Sequence, residues 1–140
     1  MIGLDINVLV AAHRPEHVDH SRAKAWLERT LGSGQTVVVF DLVASGFLRV
    51  VTSARVFNSP TSLAEALSAL AQLRAQPAVL SLSAGPRHPE IFEACCVEAD
   101  ARGNLVTDAH LASLAIEHNC AWASFDRDFA RFKSLRWILP

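Results

Sequence analysis

Two aspartates, Asp5 and Asp126, follow predicted strands, a third, Asp108, lies in the first turn of a predicted helix, and a fourth, Asp41, follows a run of β-branched residues. Carboxylates gathered at one site repel one another, which raises their pKa values or requires a cation. A site of carboxylates without His or Cys ligands selects a hard ion, Mg²⁺ or Mn²⁺. Such an ion suits phosphodiester hydrolysis, because it polarises a phosphoryl oxygen, generates hydroxide from bound water and stabilises the leaving oxygen.

Each of these acids also has a purely structural interpretation. An aspartate between a strand and a helix often serves only as the helix N-cap, a contribution of about 1 kcal/mol. Asp41 in particular is a good N-cap for the helix that follows it. The spacing of the acids therefore leaves both interpretations open, and the local sequence around them has to decide.

The elements that would position these acids follow from hydrophobic patterning. Short apolar or β-branched runs predict strands, and apolar residues at helical spacing between capping and breaking residues predict helices. The predicted strands are residues 2–5, 36–40, 78–80, 120–125 and 136–139, and the predicted helices are about 17–31, 42–52, 61–75, 86–101 and 107–119, with further helical turns after Asp5 and from Asp126.

Strands that alternate with helices predict an α/β fold, a parallel sheet with helices on both faces. In such sheets ligands bind beyond the carboxyl ends of the strands, so the acids are expected to converge on one rim. Neither a repeat, a linker nor a low-complexity segment interrupts the pattern, and residues 1–140 are predicted to form a single domain.

Composition narrows the function classes. A net charge of -1 over 140 residues provides no overall basic field, which argues against a protein that coats nucleic acid by charge alone. The cysteines, Cys95, Cys96 and Cys120, show no CxxC spacing, so neither a zinc ribbon nor a thioredoxin-like site is indicated. The N-terminus is unlike a signal peptide and the apolar runs are too short to span a bilayer, so a cytoplasmic location is expected.

Four blocks in order along the chain resemble the PIN-domain nucleases and, within them, the VapC toxins of bacterial toxin–antitoxin pairs. The first is similar to the family's D-x-N-[VIL]-L opening, the third to its G-x-x-x-x-D-A-x-[LI]-A block and the fourth to its D-x-D/G-F ending, while the second is similar to a segment of many actinobacterial members. The blocks are residues 3–10 (GLDINVLV), 45–52 (SGFLRVVT), 103–112 (GNLVTDAHLA) and 123–132 (ASFDRDFARF).

The resemblance implies roles for residues that match the motifs. Asp5 and Asp108 would be the metal ligands, and Asp126 would complete the acidic site directly or through water. Asn7 would orient Asp5 or hydrogen-bond within the site. Asp128 is a weaker supporting candidate, because its role could be limited to capping the short helix.

Thr107, beside the third-block aspartate, and Arg49, in the second block, are further supporting candidates. Arg49 could reach the rim of the site and contact RNA phosphates, as could Arg127, Arg131 and Lys133. For each of these basic residues, an ion pair or a solvated surface position is the alternative.

Two positions depart from the family pattern. PIN nucleases usually carry a Glu in the helix after the second strand, and the aligned position here is Gly46. Asp41, five residues earlier, could partly substitute for that acid. Ile6 stands where a Ser or Thr is common. Fewer direct ligands would leave more water around the ion, which Mg²⁺ tolerates.

The resemblance implies a PIN-like three-layer α/β/α sandwich with a parallel sheet of four or five strands. It also implies a Mg²⁺-dependent endoribonuclease, with Mn²⁺ as a substitute, that is the toxin of a VapBC-type pair and cuts structured RNA such as tRNA or rRNA. A cognate VapB-like antitoxin and a homodimer are expected. Two alternatives remain: a non-catalytic PIN-fold module that binds RNA or a partner, and a small phosphatase, since Asp5-Ile6-Asn7 is similar to the D-x-D of haloacid dehalogenases.

Overall fold

Five short strands form one parallel sheet in the computed structural model, which describes all 140 residues. The strand order is β3-β2-β1-β4-β5, and every neighbouring pair is parallel. The strands are β1 (Ile2–Leu4), β2 (Val37–Phe40), β3 (Val79–Leu82), β4 (Ala121–Ala123) and β5 (Arg136–Ile138). The helices are α1 (Ile6–His13), α2 (His20–Gly32), α3 (Asp41–Val51), α4 (Leu63–Arg74), α5 (His88–Glu98) and α6 (Asn104–Glu117), and a short 3₁₀ helix covers Arg127–Arg131.

The predicted three-layer α/β/α sandwich is confirmed. The chain moves from β1 to β2 to β3 in one direction across the sheet and then returns to β4, so right-handed connections place the first four helices on one face and the next two on the other. The helix contacts agree, since α1 contacts α2 and α3, α3 contacts α4, and α5 packs on α6.

The central strands are apolar because their side chains lie in the core. All four side chains of β2 are fully buried, as expected for a strand covered on both faces. In β1, a Cβ on Gly3 would lie 2.9 Å from Cε3 of the fully buried Trp122. Only glycine therefore leaves room for this indole on the neighbouring strand β4.

The three cysteines are free thiols. None of the helices has the length and apolar character needed to cross a membrane.

Several helix ends differ from the predicted ones. The prediction that Asp41 caps α3 is wrong: the extended Phe40 is the N-cap residue, and Asp41 is already inside the first turn. Helix α6 begins at Asn104, three residues before the predicted start at 107. Gly103, with a φ of 56°, is the N-cap residue and marks the end of the preceding loop. Asp108 therefore lies in the second turn of α6, where it cannot act as a cap. The predicted capping box between Ser62 and Glu65 is present.

Candidate active site

One cavity of about 430 Å³ lies at the carboxyl ends of β1 and β4. This volume falls within the range of about 300–1,000 Å³ that is common for small-molecule sites. Its lining joins the two ends of the chain, which are neighbours because β1 pairs with β4. The lining residues are Asp5, Ile6, Asn7, Val10, His17, Val50, Val56, Phe57, Thr107, Asp108, Leu111 and Asp126.

Asp5 follows the last residue of β1 and caps α1, as its structural interpretation predicted. Its Oδ1 accepts a hydrogen bond from the backbone N–H of Ile6 at 2.6 Å, and its Oδ2 accepts from Asn7 Nδ2 at 2.8 Å and from Ser124 Oγ at 2.5 Å. Burial raises the pKa of Asp5 to about 6 against the opposing effect of these donors, and nearby Asp126 adds to the rise. The carboxylate is thus held in one orientation by three donors.

Ser124, which the sequence analysis did not single out, connects the acids of the two chain ends. Its fully buried hydroxyl donates to Asp5 and accepts from Asn7 Nδ2 at 3.0 Å and from the Asp126 N–H at 2.9 Å. Asn7 Oδ1 in turn accepts from the Phe125 N–H at 3.2 Å. A serine near the end of the buried run 120–125, two residues before Asp126, was the signal available in the sequence.

Asp108 differs from Asp5 because no hydrogen bond or ion pair holds its carboxylate. Burial is the largest cause that raises the pKa of Asp108 to about 6, followed by the charges of Asp126, Asp5 and Asp128. This half-buried carboxylate therefore has no protein partner, and the charges of three other carboxylates act on it.

Asp126 lies in the cavity lining and is exposed. Its Oδ1 accepts from the Asp128 N–H at 2.8 Å, so Asp126 caps the 3₁₀ helix. The suggestion that Asp128 provides this cap is therefore wrong. Asp128 lies in the first turn, 3.4 Å from Arg131 in an exposed ion pair, and contributes only the weakest of the charges that act on Asp108.

The two departures from the family pattern contact each other. A Cβ at Gly46 would lie 2.3 Å from Ile6 Cδ1 and 2.9 Å from Ile6 Cγ1. Ile6, on α1, therefore occupies the space in front of α3 from which a side chain at position 46 would project. The two departures are therefore linked, because Ile6, which lacks the hydroxyl, packs against Gly46, which lacks the carboxylate.

Asp41 does not lie in this cavity. It accepts a hydrogen bond from Ser83 Oγ at 2.5 Å, beyond the end of β3, and lies 3.8 Å from Arg74. It is not among the charges that raise the pKa values of Asp5 and Asp108. In the sheet, β2 and β3 lie on the opposite side of β1 from β4. The acid that follows β2 therefore lies at a different part of the rim from Asp5 and Asp126.

Of the two supporting candidates Thr107 and Arg49, one lines the cavity and the other does not. Thr107 lines the cavity beside Asp108, whereas Arg49 is exposed on α3 and lies outside the lining. Arg127 and Lys133 are exposed as well. A basic residue that the sequence analysis missed, Arg22 of α2, has its guanidinium 5.5 Å from the ring centre of Phe125, between Ser124 and Asp126 in sequence.

The chemistry of the donors fits a hard cation, although the side chains are not arranged as a finished metal centre. No group of three or more His, Cys, Asp or Glu side chains is close enough to hold a metal ion. Asp5 and Asp108 nevertheless offer oxygen donors, and burial first and neighbouring carboxylates second raise the pKa values of both groups. Mg²⁺ commonly binds through one or two carboxylates and retains several waters, which matches this pair.

Comparisons with known proteins agree with the fold. A family model for the PIN domain matches residues 2–135. The chain is 44% identical over 140 residues to Ribonuclease VapC25 of Mycobacterium tuberculosis, covering 100% of this chain and 99% of that protein. It is 45% identical over the same length to Ribonuclease VapC31 of that organism, again covering 100% of this chain and 99% of the relative.

Solved structures show the same fold at low identity. The crystal structure of VapBC2 from Rickettsia felis, bound to a DNA fragment from its promoter, matches with a TM-score of 0.74, 18% identity, and coverage of 99% of this chain and 98% of that one. Mycobacterium tuberculosis VapC20, described as a Sarcin-Ricin loop cleaving toxin, matches with a TM-score of 0.70 and 18% identity over 100% of both chains.

Proposed function

This chain belongs to the PIN domain family, and on that premise we propose that it is a metal-dependent endoribonuclease, the toxin of a VapBC-type toxin–antitoxin pair. The observation that carries the proposal is the meeting of Asp5, Asp108 and Asp126, from the two ends of the chain, in one cavity where burial and then the charge of Asp126 raise the pKa values of Asp5 and Asp108. Full-length identity of 44% to a ribonuclease supports the same activity here. We further propose that residues 1–140 act as one domain.

Asp5 and Asp108 would hold the cation, with Mg²⁺ as the expected ion and Mn²⁺ as a substitute. When bound, such an ion polarises a phosphoryl oxygen and makes hydroxide available from water near neutral pH. Asp126, exposed at the rim, would accept a hydrogen bond from water or act as a further ligand through it. Because Gly46 replaces the usual acid, water would complete the coordination.

Asn7 and Ser124 would act as positioning residues. Both donate to Oδ2 of Asp5, which leaves Oδ1 with one lone pair in addition to the one used by the Ile6 N–H. A carboxylate fixed in this way loses little rotational freedom when it binds a ligand, which favours binding. Thr107 lies beside Asp108 and would hydrogen-bond to water or substrate in the cavity.

The proposed substrate is structured RNA, such as tRNA or rRNA. With a net charge of -1 the protein has no general attraction for nucleic acid, so recognition would rest on local contacts. Arg22, over Phe125 beside the acids, and Arg127 are placed to contact phosphates. A cognate VapB-like antitoxin and a homodimer are the proposed partners; VapBC2 of Rickettsia felis was solved with DNA from its promoter.

Cleavage of cellular RNA by the purified protein, with Mn²⁺, Mg²⁺ or a chelator, tests the proposal. We expect cleavage only with the divalent ion, and a loss of at least about 100-fold in rate for Asp5→Asn and for Asp108→Asn. Asp100→Asn is the matched control, because Asp100 is an exposed acid that only contacts Arg102. Cleavage that persists in both site variants would contradict the proposal, and RNA binding without any cleavage would favour a non-catalytic module.

A further inference from the structure

The cavity has an apolar wall that the acid chemistry does not use. Val56 and Phe57, in the loop between α3 and α4, line it together with the carboxylates. Val56 remains 56% exposed, although loops usually place polar side chains at such positions. A phosphodiester is charged and does not need an apolar surface beside it. An uncharged part of the same ligand would bury this surface on binding.

Arg14 holds this wall in place. Its guanidinium lies 4.2 Å from the ring centre of Phe57, its Nη1 donates to Thr61 Oγ1 at 2.7 Å, and its Nη2 donates to the Ser59 carbonyl at 2.7 Å. Glu16 accepts from Nε at 2.8 Å and balances the charge. A planar group with donors fixed in one fork can make these contacts together, and a lysine cannot. The loop is thus anchored at three points by one arginine that is only 9% exposed.

His17 adds a polar group to the same wall. Its backbone N–H donates to the Arg14 carbonyl at 3.0 Å, so Arg14 also fixes this side of the cavity. The His17 Nδ1 accepts from the Asp19 N–H at 3.1 Å, which places the proton of the neutral ring on Nε2. No group of the protein accepts that proton, and the wall therefore combines an aromatic ring, an apolar side chain and one free N–H donor.

We propose that Val56, Phe57 and His17 form a nucleobase subsite that Arg14 positions, and that receives a base adjoining the scissile phosphodiester. The inference rests on the proposed ribonuclease function. Unpaired bases are recognised by stacking on aromatic side chains and by donors to their edges, which this wall provides. The wall and the acids line one cavity, so a phosphodiester at Asp5 and Asp108 brings its own nucleoside to the wall.

RNA substrates that lack single bases test the subsite. A short RNA that the protein cleaves is prepared with one base removed at each position flanking the cut, and kcat and KM are measured with Mn²⁺. Binding of the same RNAs to the unsubstituted protein with a chelator present gives a readout that needs no catalysis. For one flanking position we expect removal of the base to lower kcat/KM and affinity about tenfold, which corresponds to about 1.4 kcal/mol.

The variants separate stacking from folding. In Phe57→Leu, which keeps apolar volume but loses the ring, removal of that base should have less than a twofold further effect, while Phe57→Trp should retain the full dependence. Arg14→Lys should weaken the dependence at the same position only. Val97→Ala, at an 82% exposed site on α5, is the control and should change nothing. The measurements of base removal with the unsubstituted protein still test the subsite if a variant of Phe57 or Arg14 fails to fold.

The outcomes distinguish the two proposals. If the protein cuts RNA but base removal acts equally with Phe57 and with Leu at every position, the subsite is overturned and the ribonuclease stands. If no RNA is cut, single bases are removed along an RNA that the protein binds; binding that depends on one base and on Phe57 then supports base binding at the wall and overturns the ribonuclease. If the Phe57 variants weaken binding of a small partner protein and leave base dependence unchanged, the wall binds protein, and the subsite is overturned.

Discussion

Replacement of Gly46 by alanine tests whether Ile6 and Gly46 are one packing unit. The added Cβ would lie 2.3 Å from Ile6 Cδ1 and 2.9 Å from Ile6 Cγ1, so the isoleucine has to leave its rotamer. Overpacking of this kind costs about 1–3 kcal/mol. Alanine in a helix interior is favoured over glycine by about 1 kcal/mol, because the unfolded chain loses less entropy on folding. The free energy of unfolding should therefore fall by about 0–2 kcal/mol.

The double-mutant cycle isolates the contact. Ile6→Ala removes both clashing atoms, so in that background Gly46→Ala should raise the free energy of unfolding by about 1 kcal/mol, the helix preference alone. The two backgrounds then differ by about 1–3 kcal/mol, measured by urea unfolding of all four proteins. Gly32→Ala is the control, because a Cβ at Gly32 meets nothing within 4 Å and should behave alike in both backgrounds. Effects of the Ile6 and Gly46 changes that add to within about 0.5 kcal/mol would refute the reasoning.

Three further predictions concern the acids and their supports. In the metal-free protein the pKa values of Asp5 and Asp108 are raised to about 6 from 3.8, so the native state binds more protons than the unfolded state between these values, and their contribution to stability falls as the pH rises through that window. The difference in melting temperature, Asp108→Asn minus the unsubstituted protein, should therefore increase between pH 4 and pH 7. A difference that stays constant over this range would contradict the reasoning. Ser124→Ala takes a donor from the buried Asp5 carboxylate and an acceptor from Asn7 Nδ2 and the Asp126 N–H, so urea unfolding should show a loss of about 1–3 kcal/mol and RNA cleavage a lower kcat; an unchanged kcat would exclude the positioning role. Gly46→Glu combined with Ile6→Ser should restore an acid and tighten Mn²⁺ binding in calorimetry about tenfold or more, whereas Gly46→Glu alone should mainly destabilise the fold.

Much of the fold could be predicted from the sequence because its signals are local. Strand β2 is a continuous β-branched run, and the Ser62–Glu65 capping box marks the start of α4 within four residues. The alternation of such segments restricts the sheet to parallel pairing. Helix starts were less well predicted where a backbone conformation decides them, as at Gly103, whose φ of 56° starts α6 before Thr107.

The candidate acids were also found from sequence, since each lies in a motif, but the contacts that organise them were not. Ser124 meets Asp5 across 119 residues, and Arg14 meets Thr61 across 47. Periodicity says which face of a strand or helix is apolar, and says nothing about which side chains from distant segments share that space. Only the sheet order, with β1 beside β4, brings Asp5 to Ser124, and only the packing of α1 on α3 sets Ile6 against Gly46.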